Sequence, residues 1–147
     1  MKAKESIFDA KAILAVMESM RHQNGAFIAS PASDYQAMWI RDHLYCTLTY
    51  YYLGEYEKLK QGVWLIFDLF RKYEKKIKTR IALPNTNRIA FPKAIIHAKY
   101  HPDTLDEITT DTSWGHDQLD VIGLFFHIVA DMLFPHRLFP LQIQCFF

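Results

Sequence analysis

The sequence predicts an all-α fold assembled from helical hairpins, and three observations carry that expectation. Apolar residues recur at spacings of three and four along several long stretches, which is the period of an amphipathic helix. Asn24-Gly25 and Gly54 stand where two of those stretches stop, and these residue types tolerate the left-handed backbone that closes helices. Only a short turn separates the second stretch from the third, which makes that pair a hairpin.

In order along the chain, Ser6 and Asp9 offer a capping arrangement, and Ile7, Ala10, Leu14, Met17 and Met20 form one apolar face, so a first helix is expected over 7–21. Residues 26–30 are apolar and extended, and Pro31 discourages their continuation as helix. A dense run of Leu and Tyr over 43–53 ends at Gly54 as a short, largely buried second helix. Tyr56, Leu59, Val63, Phe67, Phe70 and Tyr73 define a longer third helix, with Gly62 as a local weakness of roughly 1 kcal/mol relative to Ala. Its end, RKYEKKIKTR, is basic, which suits a helix C-terminus and reads most simply as a solvated face. Over 77–113 periodicity fades among prolines and asparagines, so a long connection with small strands or turns is expected. Leu119, Ile122, Phe126, Val129 and Leu133 set the face of a fourth helix. The closing PHRLFPLQIQCFF has no usable period, so the domain is placed at 1–134 and 135–147 is an atypical tail, either packed on the fold, out of frame or truncated.

A length of 147 residues suits one domain with a core, and 50% apolar and 15% aromatic residues place the chain in the globular class. A formal charge of +1 supplies no field that would argue for nucleic acid or a membrane surface as partner. The two cysteines, Cys46 and Cys145, form neither a disulfide framework nor a zinc spacing. His97 and His101 would share a helical face, but Pro102 follows at once and no third ligand stands nearby, so no metal or other cofactor is expected. MKAKESIFDA lacks a secretory signal pattern, which leaves the cytoplasm as the expected location.

Two helix entrances carry similar chemistry. In DYQAMWIRDHLY, Arg41 offers a planar fork of donors, Asp42 a pair of acceptors and Trp39 a flat apolar face, a trio suited to a sugar ring. The same residues also serve as a helix cap with a core Trp, and this stretch alone does not separate the two readings. The second entrance repeats the pattern with Trp114, His116, Gln118 and Asp120, where a tight turn with a core Trp is again the plain alternative. Entrances at the same end of a helical bundle converge, so both sets could line one carbohydrate pocket.

Together GAFIASPASDYQAMWIRDHLY and DTSWGHDQLDVIGLFF resemble glycoside hydrolase family 15, the glucoamylase-like proteins, with their relatives among phosphorylase kinase regulatory subunits, over 8–132. The resemblance implies an (α/α)6 toroid whose inner helices surround a pocket for the end of an α-linked oligosaccharide or glucan. It implies further that Arg41 and Asp42 grip the terminal sugar beside Trp39, that Trp114 lies near the neighbouring sugar, and that Gly115, Gln118 and Asp120 match the motif after it. Such a toroid takes about twelve helices, so the helices read here would be its N-terminal third. Inverting hydrolysis needs two carboxylates, an acid and a base. The family's pair are later glutamates, and Glu55, Glu57, Glu74 and Glu107 do not stand in matching contexts. Three readings follow: a sugar-gripping piece of a glycosidase without its catalytic pair, a non-catalytic carbohydrate-sensing or regulatory module, and a helical interaction module. Part of a toroid would also leave helix faces open to self-association.

Overall fold

The computed structural model describes residues 10–32, 35–83, 96–108 and 119–133. Its elements are α1 (Ala10–Ser19), β1 (Met38–Trp39), α2 (Ile40–Leu53), α3 (Tyr56–Lys72), α4 (Glu74–Ala82), β2 (Lys99–Tyr100) and α5 (Leu119–Leu133). The architecture is all-α apart from the two-residue strands, as the periodicity requires. The proposed cap at Ser6 and Asp9 and the tail at 135–147 lie outside the described residues.

The hairpin of α2 and α3 is the centre of the fold. Gly54 closes α2 at φ 73°, a left-handed conformation that Gly adopts without penalty, and the chain re-enters helix at Tyr56. Ile40, Leu44 and Tyr50 of α2 meet Leu59, Val63, Ile66 and Leu69 of α3, all of them buried. Where the two helices approach most closely, Gly62 faces Thr47. A Cβ built on Gly62 would lie 2.5 Å from the Thr47 hydroxyl oxygen, so the glycine is the contact that lets the hairpin close. Leu14 and Met17 of α1, with Met20 just beyond its end, pack on this core as expected, and Ala26 and Phe27 follow them into it.

Three expectations are corrected. First, α2 begins at Ile40 rather than at 43, so Arg41 and Asp42 occupy its first turn. Second, the third helix stops at Lys72 and a separate α4 continues to Ala82. The basic run is only partly solvated, because Lys72 and Lys76 reach the loop at 104–107. Third, the buried face of α5 is Val121, Phe125, Ile128, Val129 and Met132, while Ile122 and Phe126 are more than a third exposed. This helix is apolar nearly all round, so a period of three and four fits two faces equally well. Phe125 decides between them. Its ring sits edge-on to Phe67 at 5.0 Å and to Phe70 at 5.1 Å, wedging α5 against α3.

The connection at 96–108 contributes more than a link. β2 pairs antiparallel with β1, with Met38 opposite Tyr100 and Trp39 opposite Lys99. The Ala98 carbonyl accepts a hydrogen bond of 3.2 Å from the N–H of Ile40, the first residue of α2. One backbone donor that a helix N-terminus leaves unsatisfied is thereby used, and the sheet and the helix start are held together.

Candidate functional site

The site forms where β1 runs directly into α2. Trp39 is the N-terminal flanking residue of the helix, in extended backbone at φ −92° and ψ 128°, and its side chain is half-buried. Strand alternation sends Met38 into the core and turns Trp39 to the outer face. Arg41 and Asp42 follow in the first turn, both half-buried.

The second entrance arrives from far along the chain. Arg41 Nη1 lies 3.3 Å from Asp120 Oδ2 on the first turn of α5, which joins residues 79 positions apart. The structure therefore brings together Trp39, Arg41, Asp42 and Asp120 of the residues expected from sequence. Trp114, Gly115, His116 and Gln118 lie outside the described residues. The Arg41 side chain is 41% exposed and that of Asp120 57%, so the pair remains open to solvent and to ligand.

Beneath this surface His43 is fully buried and fixed at both ring nitrogens. Nε2–H donates to the Gly62 carbonyl at 2.9 Å, and Nδ1 accepts the Phe27 N–H at 3.2 Å. Burial holds its imidazole down at about 4, so it is neutral at pH 7 and ties three segments together just below Asp42. Cys46, one turn further along α2, is pushed up to about 11 by burial and then by the Asp42 charge, so it supplies no thiolate nucleophile at neutral pH.

Sequence reasoning missed Lys99. Its ammonium lies 4.8 Å from the centroid of the Trp39 ring, a cation–π contact across the short ladder. A two-residue strand shows no period, and the only cue in the sequence was the expectation of small strands in that connection. Among the described residues no group of three or more His, Cys, Asp or Glu could hold a metal. His101 instead accepts the Asp103 N–H in a turn, at 3.3 Å. Four of the described glutamates form ion pairs, Glu18 with Lys58, Glu57 with Lys60, Glu74 with Lys78 and Glu107 with Lys76, and Glu55 is exposed at the start of α3. No helix among the described residues is long and apolar enough to cross a membrane.

Helical hairpins around one core define an all-α helical-hairpin protein, with Trp39, Arg41, Asp42 and Asp120 at its helix entrances. The match to glycosyl hydrolases family 15 runs over residues 10–142, and the chain belongs to that family. Curated relatives are similar at low identity. The skeletal muscle isoform of phosphorylase b kinase regulatory subunit alpha from Oryctolagus cuniculus is 28% identical over 144 residues, covering 84% of this chain and 11% of the relative. The liver isoform from Mus musculus is 26% identical over 120 residues, covering 71% of this chain and 10% of the relative. The chain thus spans about a tenth of the length of these relatives. No solved structure matches it.

Proposed function

We propose that this chain binds the end of an α-linked glucan without hydrolysing it, through Trp39 as the stacking face and Arg41, Asp42 and Asp120 as the polar edge. The observation that carries the reading is the Arg41–Asp120 pair, which draws two distant helix entrances into one surface. A guanidinium held by one carboxylate still presents donors on its other edge, and Asp42 beside it presents acceptors, the complement that adjacent sugar hydroxyls require. Trp114 and Gln118 are assigned the neighbouring sugar on the family resemblance alone. Binding without hydrolysis is favoured because Glu18, Glu57, Glu74 and Glu107 each pair with a lysine, while the carboxylate that meets Arg41 is that of Asp120. The names of the relatives point the same way, since they are regulatory subunits.

Calorimetric titration with maltotriose, alongside an assay for released glucose, tests the proposal. Binding with no glucose release is expected, and Arg41→Ala weakens it by about tenfold or more, the worth of charge-assisted hydrogen bonds. Wild-type affinity in Arg41→Ala, with an unchanged helical spectrum, defeats the assignment.

A further inference from the structure

We infer that Tyr73 is a positioning residue: its hydroxyl, at the break between α3 and α4, holds the connection that sets the entrance of α2. The use of that entrance as a binding surface rests on the sugar-binding reading above, whereas the coupling rests on geometry alone. Tyr73 flanks both helices, ending α3 and preceding α4. Its hydroxyl donates to the Leu105 carbonyl at 3.0 Å and accepts the Glu107 N–H at 3.0 Å, so one oxygen clamps both sides of a turn. That turn needs holding. Leu105 sits at φ 57°, left-handed backbone that a residue with a side chain adopts at a cost. Burial raises the Tyr73 phenol above its ordinary range, so the hydroxyl keeps its proton at neutral pH and can donate.

From the clamp, a run of backbone bonds leads to the helix entrance. Glu107 bridges Tyr100 in antiparallel fashion, and the Ile108 N–H donates to the Lys99 carbonyl at 3.1 Å. Residues 107–108 therefore line one edge of β2, and β1 pairs with the other. Beside that ladder the Ala98 carbonyl accepts the Ile40 N–H at 3.2 Å. β2 is thus the middle of three extended segments. The last is tied to Tyr73, and the first carries Trp39 and runs straight into Arg41 and Asp42. The Tyr73 and Tyr100 rings, 5.6 Å apart, add a packing contact along the same path. Tyr73 acts through β2, by placing Trp39 and the first turn of α2.

The test is residue-by-residue amide hydrogen exchange of the whole chain, with calorimetric titration of maltotriose beside it. Tyr73→Phe removes one oxygen and keeps the ring against Tyr100 and under the Lys72 and Lys76 ammoniums. The Ile40 and Ile108 amides are expected to exchange about tenfold faster relative to those of Val63 and Ile66, which lie in the buried core of α3 and report global opening. Maltotriose binding is expected to weaken several-fold. Equal acceleration at all four amides would show a merely structural role and overturn the inference. Unchanged exchange at Ile40 and Ile108 also overturns it and leaves the sugar-binding reading standing. Faster exchange at Ile40 with wild-type maltotriose affinity overturns the placing of Trp39 and Arg41 by this path. A wild-type chain that binds no maltotriose defeats the sugar-binding reading, while the exchange ratio still decides whether Tyr73 sets the entrance of α2.

Discussion

Gly62 shows how differently one residue reads in one dimension and in three. On the sequence it is a weak point in a helix, and replacing it with Ala would gain roughly 1 kcal/mol of helix propensity. In the fold its missing side chain makes room for Thr47 across the hairpin, and a methyl group there meets oxygen and carbon at 2.5 and 2.7 Å. The Thr47 side chain is buried and cannot swing out to solvent. Gly62→Ala is therefore expected to destabilise the protein by about 1–3 kcal/mol, as overpacking does, and a lowered urea midpoint would show it. A midpoint raised above wild type would mean that the helices part without cost. His43, packed against the same glycine, gives a second expectation. Its folded value is about 4 against an ordinary 6.5, so between those limits the unfolded chain binds more protons. Its contribution is complete above about pH 6.5 and is lost as the pH falls towards 4, up to about 3 kcal/mol at 1.4 per unit. Urea titrations between pH 7 and 4.5 should show that loss in the wild type and a flatter dependence in His43→Gln. Equal slopes would assign the acid sensitivity to other groups.

At the scale of elements, what the sequence revealed depended on how sharply polar and apolar residues were segregated. The α2–α3 hairpin was legible because Gly54 ends one period and Tyr56, Leu59, Val63 and Phe67 begin another against charged neighbours. The buried face of α5 was not, because Val121, Ile122, Phe125 and Phe126 satisfy two registers. The ion pair of Arg41 with Asp120 was legible only as two similar motifs, since nothing local fixes contacts across 79 residues. The break between α3 and α4 at Tyr73 was also hidden, and its reason is tertiary. The Tyr73 hydroxyl donates to the Leu105 carbonyl at 3.0 Å and accepts the Glu107 N–H at 3.0 Å, while Lys76 holds Glu107 at 2.6 Å. The Lys76 and Glu107 side chains are only 20% and 15% exposed, so removing one partner strands a largely buried charge. Glu107→Gln is expected to cost about 1–3 kcal/mol in thermal or urea unfolding. Lys78→Ala, which breaks the exposed Glu74–Lys78 pair on the same helix, should cost under about 0.5. Comparable losses in the two variants would remove the distinction between a latch and a surface pair.

For the whole molecule the question is what holds the two helix entrances together, and the energies separate the two candidates. The Arg41–Asp120 pair spans 3.3 Å with both side chains at least 40% exposed, so solvent screens it to a contribution of about 0–1 kcal/mol. Phe125 is 2% exposed and lodged between Phe67 and Phe70, and truncating such a ring typically costs about 3–5 kcal/mol. Apolar docking of α5 on the α2–α3 hairpin thus positions the polar surface, and the ion pair is a consequence of that docking. Asp120→Asn should accordingly leave the urea midpoint nearly unchanged while weakening maltotriose binding. Phe125→Ala should lower stability and binding together, removing a large part of the roughly 5–15 kcal/mol that a domain has. Because Ile128, Val129 and Met132 share one core with Leu59, Val63 and Leu69, the loss should appear as a single transition at lower urea in circular dichroism. An early transition confined to part of the helical signal, followed by unfolding of the remainder at the wild-type midpoint, would show α5 to be an appendage. In that case a binding surface shared by α2 and α5 would lack the rigid support that a preorganised site requires.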